Sequence, residues 1–376
     1  MKKEFIINFS VSFAAIIITI GLIEIGTLAL NIISPSPAKT WDEHRLRLPP
    51  PYQNAPYAIS EIIAEAKQIT WQTGEGFGWL PDDRAGLYIN ISQHQRLTSD
   101  KPKNGGRRVW MFGGSTMMGA EVPDKLTIPS FLQRKVTASG SEPSPLVYNL
   151  GATTITANHQ LFRLTHMSDV QPNDVVVFYD GVNDIIQSLY YQNPQGTMVE
   201  ANRQAIANLP PKQRLAWWIY TTFGRWSPFV NRFVNPTSPT YIHVQIAETA
   251  LAQLEDNYLN VMKSASAFAK SRGATFFHFL QPNIYTVHDH SSYEKSLIQN
   301  GWLYPTNLRD VYAVGYPALR RASQRAIAIG INAIDLSEVF DKRHGDIFLD
   351  FCHVNEQGNE LAADGIYAVV APTLKE

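Results

Sequence analysis

The sequence predicts an α/β fold with a mainly parallel sheet, preceded by one helix long enough to cross a membrane. Three observations carry this reading. From Arg107 onward, short apolar runs alternate with helical stretches, the rhythm of strand–helix–strand units. One run, Asp174-Val-Val-Val-Phe-Tyr179, is continuously apolar after its first residue, as parallel strands covered on both faces are. Near the N-terminus, Phe5 to Ile23 is an uncharged stretch of 19 residues, and a bilayer core needs ~20 mostly apolar helical residues.

Composition narrows the function classes. The 376 residues carry 32 Lys plus Arg against 33 Asp plus Glu, a formal net charge of −1. That balance argues against a nucleic-acid partner, which usually requires a clustered basic excess. At 44% hydrophobic and 17% charged residues the chain is not a disordered one. The single cysteine, Cys352, rules out an intrachain disulfide framework and a cysteine-rich zinc module. The sequence shows no phosphate-binding glycine loop or dinucleotide fingerprint, and no cofactor is expected.

Residues 1–33 read as a membrane anchor. Lys2 and Lys3 precede the apolar stretch, and after Glu24 the apolar character resumes through Ile33. A cleaved signal peptide is the alternative, but its apolar region is only ~7–15 residues long. The two lysines favour a cytoplasmic N-terminus. This predicts a single-pass inner-membrane protein with its catalytic domain on the extracytoplasmic side. Glu24, a carboxylate within an apolar helix, marks either a partner helix or the outer interface.

Residues 34–106 are expected as a Pro-rich stalk (Pro35, Pro37, Pro49, Pro50, Pro51, Pro56) and an N-terminal extension. Within them, residues 60–68 predict a short helix and residues 88–92 a strand. The α/β domain, 107–376, then follows. Residues 109–112 form a strand ending in Gly113-Gly114-Ser115, and residues 126–136 a helix. Residues 146–150 form a second strand, closed by Gly151 and followed by a helix over about 156–167. The third strand is 174–179. Residues 186–240, rich in Pro and Trp, interrupt the alternation and read as an inserted cap. A helix over 242–271 stops at Gly273, and 274–280 is the fourth strand. A second insertion at about 284–312 precedes a helix over 316–329, a strand over 333–336 and a closing helix over 356–370.

Four motifs fall at strand ends, where open α/β sheets place their sites. Ser115, straight after a buried strand, can expose its oxygen on a tight turn, although Gly-Gly-Ser is also ordinary turn chemistry. Gly151 can present a backbone N–H with no side chain in the way, or simply join strand to helix. Asn183, in Gly181-Val-Asn183-Asp184, offers an amide donor of the kind that serves an oxyanion hole, or closes a turn. Asp350, three residues before His353, can brace the imidazole if the segment between them turns once. That would give a serine nucleophile its base and the base its orienter; in isolation the pair also reads as a surface ion pair.

The order Ser115, Gly151, Asn183 and Asp350-Phe-Cys-His353 resembles the SGNH hydrolases, also called the GDSL esterase/lipase superfamily, over about residues 107–372. The resemblance implies a three-layer α/β/α, flavodoxin-like SGNH domain and a serine ester hydrolase. It implies Ser115 as nucleophile, His353 as base and Asp350 as its partner. It also implies an oxyanion hole of the Ser115 and Gly151 amides with the Asn183 side chain. The chain departs from the naming motif at Gly114, where the family usually has Asp, and at Thr116, where it has Leu.

Other constellations say less. His288-Asp289-His290 would need a third ligand from elsewhere to hold a metal, and no metal site is expected. Trp217, Trp218 and Trp226 of the inserted segment stack on sugar rings, line an acyl slot or pack the insertion. Cys352 reads as a small buried residue. The expected function is a membrane-anchored serine esterase acting on short acyl esters, acetyl above all, of a small molecule or an envelope or extracellular glycan. O-acyl transfer through the same acyl-enzyme is one alternative. A non-catalytic, glycan-binding envelope scaffold is the other, and the sequence leaves protein partners open.

Overall fold

The computed structural model describes residues 2–33, 41–74, 76–140, 143–191, 206–224, 226–234, 246, 248–299 and 308–375. They divide into two compact units, Met1–Lys39 with Asn202–Ile242, and Thr40–Ala201 with His243–Glu376. The strands are β1 (Trp71–Gly74), β2 (Gly78–Pro81), β3 (Ile91–Ser92), β4 (Gln95–Arg96), β5 (Arg108–Gly113), β6 (Leu146–Gly151), β7 (Val175–Asp180), β8 (Thr275–Leu280) and β9 (Asn332–Asp335). The helices used below are α1 (Lys2–Ile33), α2 (Trp41–Leu46), α3 (Ile59–Ala66), α4 (Ser115–Met118), α5 (Ile128–Ala138), α6 (Ala157–Thr165) and α7 (Val182–Ile185). They continue as α8 (Pro211–Phe223), α9 (Pro228–Phe233), α10 (Glu248–Ser271), α11 (Ser292–Gln299), α12 (Leu308–Ala328) and α13 (Glu356–Lys375).

In the larger unit the sheet runs β3-β4-β6-β5-β7-β8-β9. The five strands from β6 to β9 in that order are parallel, which is the flavodoxin-like order with its switch point at β5. The short β3–β4 hairpin extends the β6 edge in antiparallel fashion. All six residues of β7 are buried, because helices cover both faces of the sheet. Helices α5 and α13 pack together as one group, and α6, α10 and α12 as another. The result is the three-layer α/β/α domain.

Three segments differ from the sequence expectation. Of the strand expected over 88–92, only Ile91–Ser92 pairs. The Leu87, Tyr88 and Ile89 N–H groups donate instead to the Glu65 carboxylate at the end of α3. The helix expected from Tyr316 begins at Leu308 and carries Pro317 inside it. The third difference bears on function. From Trp41 onward the Pro-rich segment is folded onto the α/β domain rather than extended as a stalk. Tyr52, Ile59 and Ile63 form a buried cluster with Leu349, and the Pro51 carbonyl accepts from Asn355 Nδ2 at 3.0 Å. Residues 34–40 lie outside the described residues.

The smaller unit contains α1, which at 32 residues is long enough to cross a bilayer, together with α8 and α9. Glu24 accepts from the Phe229 N–H at 3.0 Å and from the Ser227 hydroxyl at the start of α9. The Glu24 carboxylate therefore has a helical partner from the same chain. Helices α8 and α9 thus form a hairpin whose second helix packs on α1. Trp217 and Trp218 lie on α8 and Trp226 just before α9; of the insertion expected over 186–240, residues 192–205, 225 and 235–240 lie outside the described residues.

Candidate active site

Strand β5 delivers Ser115 to the first position of α4, after Gly114 in extended backbone with φ −74° and ψ −155°. Steric demand accounts for both preceding glycines. A Cβ on Gly113 would stand 2.5 Å from the Met117 Cβ and 2.8 Å from the Tyr179 carbonyl oxygen. A Cβ on Gly114 would stand 2.8 Å from Asn183 Nδ2. The lack of a side chain at 114 therefore leaves room for the Asn183 amide.

The segment Asp350–His353 makes a single tight turn. Asp350 Oδ1 accepts from the Cys352 and His353 N–H groups at 2.8 and 2.7 Å, while Oδ2 lies 2.6 Å from His353 Nδ1. His353 Nε2 then lies 2.7 Å from Ser115 Oγ, across 238 residues of sequence. With the ring proton on Nδ1 and donated to Asp350, Nε2 accepts the Ser115 O–H. These distances are those of a nucleophile, a base and an orienter in hydrogen-bond contact.

Two residues that no motif marks complete the electrostatics. The Glu121 carboxylate lies 3.9 Å from His353 Nε2, and its Oε1 accepts from Arg45 Nη2 at 3.0 Å. Arg45 Nη2 also stands 4.0 Å from Asp350 Oδ2, and Tyr52 Oη donates to the Glu121 carbonyl at 3.0 Å. Both carboxylates and the guanidinium are buried. Burial opposes the Asp350 charge, but His353, Arg45 and the Cys352 N–H outweigh it and hold this carboxyl below its usual range. Burial likewise pulls His353 down, but the Asp350 and Glu121 carboxylates raise it well above the ordinary imidazole value. Burial pushes the Cys352 thiol up to about 12, so at neutral pH it is uncharged and does not compete as a nucleophile.

A pH prediction follows from the sign of the His353 shift. Only the neutral imidazole can take the Ser115 proton, so activity should appear as pH rises through this pKa. The acid limb of kcat/KM is expected above the ordinary histidine value of ~6.5. Glu121→Gln removes a negative charge beside Nε2 and should move that limb to lower pH. A limb that stays in place would exclude Glu121 from the base's environment.

The expected oxyanion donors separate into two kinds. The Ser115 N–H opens a helix, where the first amides have no intrahelical acceptor. Asn183 sits on α7 just after Gly181, whose φ of 118° suits glycine. One of the Asn183 amide protons goes to the Ile155 carbonyl at 2.8 Å, which fixes the side chain and leaves its second proton available as a donor. Gly151, the remaining expected donor, has its N–H engaged within the fold. Its N–H donates to Asn149 Oδ1 at 2.9 Å, and Asn149 Nδ2 donates to the Met117 carbonyl at 3.0 Å. A Cβ on Gly151 would meet the Met118 nitrogen at 2.2 Å. Gly151 thus lets β6 pass directly behind the nucleophile turn, with Asn149 stapling the two, and its proton is already engaged.

His288 and His290 are held by different groups. His288 Nδ1 lies 2.6 Å from Asp341 Oδ2, and His290 Nε2 lies 2.6 Å from the Ile284 carbonyl. The one cluster of metal-capable side chains among the described residues is Asp350, Cys352 and His353, which belongs to the hydrogen-bonded site above.

No protein-family model matches the sequence, and no curated protein matches it. Matches among solved structures include an alpha/beta hydrolase enzyme from the metagenome of Lake Arreo, Spain. It is 13% identical, with 72% of this chain and 98% of that one covered and a TM-score of 0.39. An acetyl xylan esterase is 16% identical, with 70% and 99% covered and a TM-score of 0.38. An acetylxylan esterase from Geobacillus stearothermophilus is 13% identical, with 70% and 94% covered and a TM-score of 0.38.

Proposed function

We propose that this protein is a membrane-anchored serine esterase that cleaves short acyl esters, acetyl above all. The observation that carries the reading is the unbroken hydrogen-bond chain from Ser115 Oγ through His353 to the buried Asp350. In this reading His353 Nε2 removes the Ser115 proton as Oγ attacks the ester carbonyl. The oxygen that becomes negative is met by the Ser115 N–H and the free Asn183 amide proton. The imidazolium, stabilised by Asp350 and Glu121, returns its proton to the leaving alcohol, and the acyl group stays on Ser115. Water, deprotonated by the same imidazole, then releases the acid. The SGNH-like order of these residues supports the same assignment, and α1 supplies the anchor, with the catalytic unit on the extracytoplasmic side.

The preference for a short acyl group has a physical support. The Glu121 carboxylate stands 3.9 Å from His353 Nε2 and is paired with Arg45, whereas a long acyl chain needs an apolar wall. Each buried methylene is worth ~0.8 kcal/mol, so a lipase gains specificity as the chain lengthens. Here kcat/KM over aryl esters from acetate to dodecanoate is expected to peak at the short end and fall beyond about three or four carbons. A rise toward dodecanoate would replace this reading with a lipase. An envelope or extracellular glycan is the proposed carrier of the ester. Acyl transfer to a sugar hydroxyl uses the same acyl-enzyme, and sugar-dependent turnover after an acyl burst would favour it.

A further inference from the structure

We propose that the hairpin formed by residues 206–234 is a second membrane contact, lying in the head-group layer at the far end of α1 with its aromatic side chains in the lipid interface. The proposal rests on the reading of α1 as a membrane span.

Position along α1 is set by two hydrogen bonds. The Glu24 carboxylate accepts from the Phe229 N–H at 3.0 Å. Arg232 Nη1 donates to Asn31 Oδ1 at 2.6 Å, and Asn31 lies ~10 Å further along the α1 axis. The stretch of α1 long and apolar enough to cross a membrane ends at Ile33. Both contacts fall in the last ten residues of that stretch, so α9 is held against the end of α1 that leaves the core.

The chemistry of its surface fits that layer. Trp218 is 57% exposed, Trp226 79% and Phe233 54%, with Leu215 and Phe223 exposed beside them. Apolar side chains at this density on a surface in water mark an interaction site. Tryptophan and other aromatic rings are enriched where one end of a side chain is apolar and the other wet. Lys212 and Arg214 are exposed on the same helix, where they would meet lipid phosphates. The occupant is the bilayer that α1 enters, because α9 is tied to the last ten residues of α1 at Glu24 and Asn31.

Brominated lipids test this directly. The full chain is reconstituted in phosphatidylcholine vesicles with bromine at a shallow acyl position, and tryptophan emission is recorded. Residues 2–33 contain no tryptophan, so the span itself adds no signal. The parent is expected to be quenched. Trp217→Phe, Trp218→Phe and Trp226→Phe together should lose most of the quenching while the protein still resists carbonate extraction. A parent that is not quenched, or quenching that survives the triple substitution, overturns the contact if carbonate resistance is intact. Self-association through these residues in place of quenching assigns the face to a second copy and also overturns it. A parent that carbonate extracts overturns the span beneath the proposal, a failure distinct from that of the hairpin.

Discussion

Ser115→Ala and His353→Ala are each expected to lower ester turnover by roughly 10^4–10^6-fold, because members of a triad act as one unit. The double substitution should be little worse than either single one. Folding should survive, since Ser115→Ala removes one hydrogen bond worth ~1 kcal/mol from a partly exposed side chain. Fluorophosphonate labelling should vanish with Ser115→Ala. Steady-state kinetics and labelling of the purified variants check both points, and substantial turnover by Ser115→Ala would remove the nucleophile assignment.

Asn183→Ala should cost about 100–1,000-fold in turnover, the worth of one oxyanion donor, while some labelling persists because nucleophile and base remain. Gly114→Ala should reproduce much of this loss by a different route. Its φ of −74° suits any L-residue, so the backbone is not strained. The added Cβ would stand 2.8 Å from Asn183 Nδ2, and the amide must move. If the two substitutions act through the same donor, their combination should be far from additive. Equal and additive losses would show that Gly114 matters for something other than Asn183.

The strands were legible in the sequence because a central parallel strand is apolar along its length, as β7 is. The members of the hydrogen-bonded chain Ser115, His353 and Asp350 were legible because their motifs are short and local. What the sequence concealed was long-range. Pro49, Pro50 and Pro51 read as an extended stalk, yet Pro50–Tyr52 forms a helical turn whose neighbours carry Arg45 to Glu121. No local pattern marks either member of a pair separated by 76 residues. Gly151 shows the same blindness in reverse. A glycine at a strand end advertises a bare N–H, but not that Asn149, two residues earlier, has bonded it. The hairpin on α1 was concealed as well, since proline and tryptophan content cannot say which surface a segment will cover.

The bond between Glu24 and Ser227 joins residues 203 apart, and this separation becomes a delay when the protein is made. On the proposed topology α1 leaves the ribosome first. At ~5–20 residues per second, ~10–40 s pass before Ser227 is synthesised. Throughout that interval the carboxylate must be tolerated on α1 without the amide and hydroxyl that later receive it. Insertion of α1 therefore proceeds on its own hydrophobicity, and the carboxylate works as a late-acting latch that captures the hairpin only when about three-fifths of the chain has been translated.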